Sequence, residues 1–228
     1  MTINNPGHEN ILIQILKDIY TDKEISPFLG FKGGTAAYLF YKLDRFSIDL
    51  DFDLLDITKK DKIFLTVGEI LKKQGSIKDS RIKRYSLFFL LSYGNNSRNI
   101  KVEINLRKFG SHYEIKSYLG ISMLLMVRED MFAHKLVAMF ERLGKTNRDI
   151  YDVHFFLKNR WPINEKIIEE RTSLLFSIFL KKCVLELKKI GNQHILSGIG
   201  ELLTPNQKTW VKAHLLEDTV FLLQAREK

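Results

Sequence analysis

The segment FKGGTAAYLFYKLDRFSIDLDFD, residues 31–53, joins a glycine pair, a short helical pattern and a strand pattern that carries three aspartates. Polar and apolar residues alternate over residues 47–54, which predicts a β-strand. Because residues two apart in a strand face the same side, Asp49 and Asp51 are expected to project together. A hard divalent cation such as Mg²⁺ would offset their mutual repulsion, although an exposed edge strand would show the same alternation. Asp53 shares this face and is interpreted as a solvated strand-end residue.

The glycine pair Gly33 and Gly34 stands immediately before the helical pattern that runs from Thr35 to Leu43. Glycine lets backbone amides approach a phosphate, and the N-terminus of a helix favours negative charge. The pair therefore predicts a phosphate-binding turn, with an ordinary glycine turn as the alternative. It is neither a Walker P-loop nor a GxGxxG fingerprint.

The remaining patterns predict an α+β fold, in which a small mixed sheet with flanking helices is followed by a C-terminal helical lobe. The core is expected over residues 1–127 and the lobe over residues 128–228. The predicted elements of the core are helices at 10–20, 35–43 and 59–73, strands at 28–31 and 47–54, and a hairpin of 81–93 with 99–109 across a GNNS turn. The lobe is expected to contain helices at 128–143 and 147–159, a boundary at Trp161-Pro162, and about three helical segments between 164 and 225.

Composition and charge limit the classes of protein to consider. Hydrophobic residues make up 45% of the 228 residues, which is enough to build a core. No apolar run approaches the ~20 residues that a membrane span needs, and no signal peptide is visible, so we expect a cytoplasmic protein. The single cysteine, Cys183, excludes an internal disulfide and is expected to be an inert thiol. The formal charge of +9 favours a polyanionic partner such as RNA or DNA.

A second strand pattern, Lys101 to Arg107, also places polar side chains on one face. In it, Glu103 could add a third carboxylate, as a metal ligand or as the base that accepts a proton from an attacking hydroxyl. Taken alone, the pattern also fits a half-exposed strand.

The order of turn, helix and Asp-x-Asp strand resembles the nucleotidyltransferases related to DNA polymerase beta. It is more closely similar to the AbiEii/AbiGii toxin family, whose members carry a GGTAL-type turn and an R-x-S-x-D-[IL]-D strand. Ala37 replaces the leucine of the turn. The positions that match are Gly33, Gly34, Thr35, Arg45, Ser47, Asp49, Leu50 and Asp51.

Further elements of the family have counterparts later in the chain. Lys101 and Glu103 match its K-x-[DE]-I element, and Lys135 matches its A-x-K-L-x-A helix. Its R-D-x-x-D element is matched by Arg148, Asp149 and Asp152. The resemblance implies that Lys135 neutralises triphosphate charge as pyrophosphate leaves. The two aspartates would orient Lys135 or Arg148, or support the fold; a solvated charged face is the alternative.

The function that the resemblance implies is a metal-dependent nucleotidyltransferase that moves a nucleoside monophosphate from an NTP to an acceptor. Mg²⁺, in a two-metal site, would be held by Asp49, Asp51 and Glu103. Nucleotide contacts would come from Gly33, Gly34, Thr35, Arg45, Ser47 and Arg148. The resemblance also implies the toxin of a toxin–antitoxin or phage-defence system, with a cognate antitoxin and the 3′ end of tRNA as acceptor. The alternatives are a catalytically inactive nucleic-acid or partner-binding module and a Mg²⁺-dependent nuclease.

Overall fold

The computed structural model describes residues 6–94 and 99–226 of the 228-residue chain. The described chain divides into two compact units. The sheet unit contains the residues up to Lys108 together with His112–Met126, and the helical unit contains Phe109–Ser111 and the chain from Val127 onward.

The sheet unit is a mixed α+β structure, as predicted. Its helices are α1 (Pro6–Thr21), α2 (Gly33–Tyr41) and α3 (Lys60–Lys72). Its strands are β1 (Leu29–Lys32), β2 (Leu50–Leu54), β3 (Ser76–Ile82), β4 (Ser86–Ser92), β5 (Ile100–Asn105), β6 (Tyr113–Tyr118) and β7 (Ile121–Met126). Over the described residues they form one seven-stranded sheet in the order β3-β4-β5-β2-β1-β7-β6. The pairs β1–β7 and β2–β5 are parallel and the others are antiparallel.

Apolar side chains of the central strands form the core of this unit. Phe31 on β1 and Phe52 on β2 are wholly buried, with ring centroids 5.4 Å apart. Burial of each such side chain contributes about 1.5–3 kcal/mol. Since side chains alternate along a strand, Asp51 and Asp53 must lie on the opposite face of β2 from Phe52. The core thereby fixes the direction in which the carboxylates point.

The main differences from the predicted elements concern strands. Strand β2 begins at Leu50 rather than Ser47, because its partner β1 ends at Lys32, opposite Asp51, where the chain turns into α2. The β4–β5 pairing confirms the predicted hairpin, but its GNNS turn lies largely outside the described residues. The sequence patterns did not predict the edge strand β3 or the hairpin of β6 and β7.

The helical unit contains α4 (Arg128–Arg142), α5 (Arg148–Lys158), α6 (Glu165–Thr172), α7 (Phe176–Lys188) and α8 (Pro205–Arg226). These helices confirm the predicted helical texture. Trp161, between α5 and α6, is buried and stacks on Phe156 with ring centroids 4.1 Å apart. Burial of Cys183 on α7 raises the thiol pKa to about 12, so the thiol stays protonated at neutral pH. Within the described chain, none of the helices has the length and apolar character to cross a membrane.

Candidate active site

The turn from β1 into α2 brings backbone against the side chain of Asp51. Gly33, the first residue of α2, has φ +81°, a conformation that side-chain-bearing residues rarely adopt. A Cβ placed there would lie 2.5 Å from Asp51 Oδ2. The position therefore requires glycine both for its conformation and for the close approach of the carboxylate.

The second glycine of the pair packs over two buried polar side chains. A Cβ at Gly34 would lie 2.7 Å from Arg45 Nη2 and 2.9 Å from Ser47 Oγ. Arg45 is only 1% exposed and donates a hydrogen bond from Nη1 to the Phe46 carbonyl at 2.9 Å. The predicted nucleotide-binding residues Arg45 and Ser47 thus lie beneath the turn, where they support its backbone.

Thr35 ties the start of α2 to the segment before β2. Its hydroxyl is within 3.0 Å of Ser47 Oγ and also donates to the Asp49 carbonyl oxygen. Asp49 precedes the strand, so the same-face argument applies to Asp51 and Asp53 and not to Asp49. Position 49 is held by α2 rather than by a neighbouring strand.

Asp51 and Glu103 are register partners on the parallel strands β2 and β5, as the prediction of a neighbouring acid requires. Lys101 Nζ lies 3.2 Å from Glu103 Oε2. Partial burial alone would lower the pKa of Lys101, but the negative charges of Asp51, Asp49 and Glu103 raise it above its ordinary value. Burial would likewise raise the pKa of Glu103, but Lys101 and a hydrogen bond with Ser86 hold it below its ordinary value. Both groups are therefore charged at neutral pH.

The carboxylates of this site are the type of ligand that a hard cation prefers, but they are few. Among the residues that the structure describes, no three His, Cys, Asp or Glu side chains converge into a metal-ligand group. Mg²⁺ commonly binds through only one or two carboxylates and completes its shell with water and substrate phosphates. Asp51 with its register partner Glu103, and Asp49 near the same lysine, are compatible with binding of that kind.

Asp53 corrects the sequence interpretation, because it is buried rather than solvated. Its side chain is 9% exposed, and it accepts hydrogen bonds at 2.6 Å from Lys32 Nζ, Asn105 Nδ2 and the Tyr113 hydroxyl. Burial would raise its pKa, but the Lys32 charge and these three hydrogen bonds hold the pKa below its ordinary value. A Cβ at Gly30 would overlap the Tyr113 ring, so the ring has room only because position 30 has no side chain. Asp53 therefore anchors four strands rather than standing at the rim.

In the helical unit, Lys135 on α4 lies between two carboxylates of α5. Its Nζ is 3.1 Å from Asp149 Oδ1 and 2.9 Å from Asp152 Oδ2, and both aspartates are wholly buried. Arg142 Nη2 approaches Asp149 Oδ2 to 2.8 Å as a charge contact without hydrogen-bond alignment. The solvated-face alternative is therefore wrong for these two aspartates. Lys135 has 13% of its side chain exposed, and the sequence patterns gave no indication of Arg142.

The other polar candidates of the helical unit have separate surroundings. Arg148 is the first residue of α5 and is half-buried. His134 contacts Ser111 Oγ at 2.7 Å through Nε2 and Arg171 Nη1 at 3.0 Å through Nδ1. The ring of His154 packs 4.9 Å from that of Trp210. Both histidines thus have packing and hydrogen-bonding roles within their own unit.

Comparison with known proteins identifies the family. The family model described as "Nucleotidyl transferase AbiEii toxin, Type IV TA system" matches residues 14–177. A search of curated proteins found no match. A Helicobacter pylori protein assigned as a nucleotidyltransferase superposes with a TM-score of 0.66 at 24% identity, covering 99% of this chain and 95% of the other. JHP933 from Helicobacter pylori superposes with a TM-score of 0.57 at 22% identity, covering 96% and 93%.

At these identities, the two structures support the fold alone. The family match spans most of the chain and includes the glycine turn, Asp51, Glu103 and Lys135. The chain belongs to the AbiEii family of nucleotidyltransferase toxins of type IV toxin–antitoxin systems.

Proposed function

We propose that this chain transfers a nucleoside monophosphate from an NTP to the 3′ end of a tRNA and thereby acts as a toxin. The observation that carries the proposal is the placement of Asp51 against Gly33 of the glycine turn and in register with Glu103 across β2 and β5. In the reaction, the acceptor hydroxyl gives up its proton to Glu103 or to water, and its oxygen forms a bond to the α-phosphorus. The bond from that phosphorus to the bridging oxygen breaks, and pyrophosphate leaves.

The start of α2 supplies the phosphate-binding part of the proposed site. Backbone N–H groups at a helix N-terminus are unpaired and carry partial positive charge, so they attract phosphate oxygens. Gly33 allows close approach, and Thr35 with the buried Arg45 and Ser47 holds the turn in place. Arg45 and Ser47 are thus positioning residues in this proposal.

Divalent metal ions are used widely in the nucleotidyltransferase superfamily, and Asp49, Asp51 and Glu103 are the residues that would hold them here. Such ions neutralise charge on the phosphates and on the attacking and leaving oxygens. Glu103 could act as a metal ligand or as the base that accepts the proton of the acceptor hydroxyl. Lys101 offsets the charge of the carboxylates.

Lys135 is the cation proposed to meet the leaving pyrophosphate. An ammonium group has three N–H donors, and two of them face Asp149 and Asp152. The buried aspartates fix the direction of the third, which would donate to a phosphate oxygen. This is a positioning role for the aspartates, in agreement with what the family resemblance implies.

An RNA acceptor is supported by the formal charge of +9, which favours a polyanion through counterion release.

A second protein encoded beside this one would be the expected antitoxin, in line with the type IV toxin–antitoxin family.

The test is incubation of the purified protein with each labelled NTP, Mg²⁺ and total tRNA. Label transfer supports the proposal, strand scission would identify a nuclease, and RNA binding without either would identify an inactive module. Asp49→Ala and Asp51→Ala should each abolish transfer and toxicity and leave the circular dichroism spectrum unchanged. Asp79→Asn, which alters an exposed ion pair with Arg81 on β3, is the matched control and should retain activity. Wild-type transfer by either alanine variant would refute the site.

A further inference from the structure

A cluster of basic and aromatic side chains lies next to the carboxylates on the same sheet. We call it the Tyr85 patch, and it consists of Lys83, Arg84, Tyr85, Phe88, Arg107 and Lys108. Tyr85, in the turn between β3 and β4, is 48% exposed. Arg84 Cζ lies 4.9 Å and Arg107 Cζ 5.5 Å from the centroid of its ring, and Lys83 Nζ lies 3.8 Å from that of Phe88. Both guanidinium groups lie over the half-exposed Tyr85 ring, and such a group of aromatic and arginine side chains is suited to stacking with a nucleobase.

The backbone fixes the patch to the strands that carry the carboxylates. Leu106 N donates to the Tyr85 carbonyl at 2.9 Å, and Lys83 N donates to the Ser86 carbonyl at 2.8 Å. These bonds close the turn against the end of β5. Tyr85 is therefore held at a defined place on the sheet.

The polar face of β5 leads from the carboxylates to the patch. Glu103 is hydrogen-bonded with Ser86, the residue after Tyr85. Asn105 follows Glu103 on the same face and accepts from Arg107 N and Nε at 3.3 Å. Arg107 is four positions after Glu103, which corresponds to at most ~13 Å at the rise of a strand. About four stacked nucleotides at ~3.4 Å each would span this distance.

Three of the cations of the patch, Lys83, Arg84 and Lys108, can meet an external anion. Over the described ranges, 6–94 and 99–226, Lys83, Arg84 and Lys108 form no ion pair with a carboxylate within 4 Å. The carboxylates of the candidate active site would repel a polyanion. A basic surface beside them therefore gives an RNA strand a direction of approach.

We propose that the Tyr85 patch binds the single-stranded 3′ end of the acceptor RNA, with a base stacked on Tyr85 and phosphates at the surrounding cations. This inference rests on the proposed function, because it assigns the acceptor side of that site. It commits to a stacked base about four nucleotides before the reacting 3′ hydroxyl. An acidic protein segment would meet the same cations but has no need of the aromatic face.

The test measures binding of a labelled RNA hairpin by fluorescence anisotropy, without NTP. One hairpin has a four-nucleotide 3′ overhang and the other has a blunt end. Tyr85→Ala should weaken binding of the overhang RNA about tenfold or more, within the range for base–aromatic stacking, and leave the blunt hairpin unaffected. Tyr85→Phe should bind like the wild type. Arg84→Gln should reduce the slope of log affinity against log salt by about 0.7, as expected when one single-strand phosphate contact is lost.

Tyr41→Ala is the matched control, since Lys116 Nζ lies 4.9 Å from that ring centroid but is paired with Glu114 at 2.9 Å. It should bind both RNAs normally. Equal affinity of Tyr85→Ala and wild type for the overhang RNA would overturn the inference, as would equal weakening in the control. Competition by poly-glutamate that requires the Tyr85 ring would also overturn it, in favour of a protein partner. Because binding is read without NTP, stacking on Tyr85 without label transfer would refute only the proposed function.

Discussion

Replacement of Asp53 by asparagine is the sharpest test of how the sheet unit is held together. Asp53→Asn keeps the shape of the side chain but removes the charge that Lys32, Asn105 and Tyr113 share. The Lys32 side chain is only 20% exposed, so solvent compensates its lost partner incompletely. The variant therefore isolates the charge from the packing.

The expected cost follows from the burial of the pair. Removal of one partner from a buried ion pair costs roughly 3–5 kcal/mol. Asparagine retains an acceptor and a donor, which places the expected loss near the lower end, at about 3 kcal/mol. For a chain of this size, ~1 kcal/mol shifts the melting temperature by ~2–4 °C, so a fall of roughly 6–12 °C is expected.

The assay is thermal and urea unfolding followed by far-ultraviolet circular dichroism, which reports the loss of secondary structure in the chain as a whole. Asp79→Asn, on the exposed edge of the same sheet, is the control and should unfold like the wild type. If Asp53→Asn has the same melting temperature and urea midpoint as that control, the proposed contribution of the buried charge is refuted.

The pH dependence has a defined sign. The folded pKa of Asp53 lies below its ordinary value, so its stabilising contribution is present above the unfolded pKa of ~3.9 and lost as the pH falls through the folded value. The difference in free energy of unfolding between wild type and Asp53→Asn should therefore stay constant between about pH 5 and about pH 8. It should shrink only at more acidic pH. A difference that grows toward acid pH would contradict the assignment.

Two further substitutions test the turn and the lysine. Lys135→Ala leaves the buried carboxylates of Asp149 and Asp152 without their shared cation, so it should destabilise the helical unit by about 3–5 kcal/mol in urea unfolding followed by tryptophan fluorescence. Unchanged stability would mean that the aspartates do not depend on Lys135. Gly33→Ala forces a Cβ against Asp51 at a positive φ, and label transfer should fall far more than the melting temperature does. Gly120→Ala, also at positive φ but with open space around it, is its control, and equal activity of the two variants would refute the steric argument.

The order of the elements around the site was predictable because it depends on local patterns. The glycine pair, the helix after it and the alternation into β2 are all readable over a few residues. The end of β1 could not be predicted from a local pattern, and it determines where β2 can begin to pair. For that reason the sequence could pair Asp49 with Asp51 by spacing but could not show that Asp49 lies before the strand.

The contacts of Asp53 depend on residues far apart in the chain. Alternation placed Asp53 on the same face as Asp51 but gave it no partner, and only the sheet order brings Lys32, Asn105 and Tyr113 to it. The hairpin that carries Tyr113 was itself missed. Its turn has Leu119 and Gly120 at positive φ, and leucine is not a residue that signals such a turn.

The Tyr113 ring fills the space that a side chain at position 30 would need, and this limits how the family can diverge. A Cβ at position 30 excludes the ring, and loss of the ring removes a donor from Asp53. Single replacements at position 30 should therefore be selected against while Tyr113 is present. Homologues with a larger residue at position 30 should have a smaller one at position 113, so the two alignment columns are expected to covary.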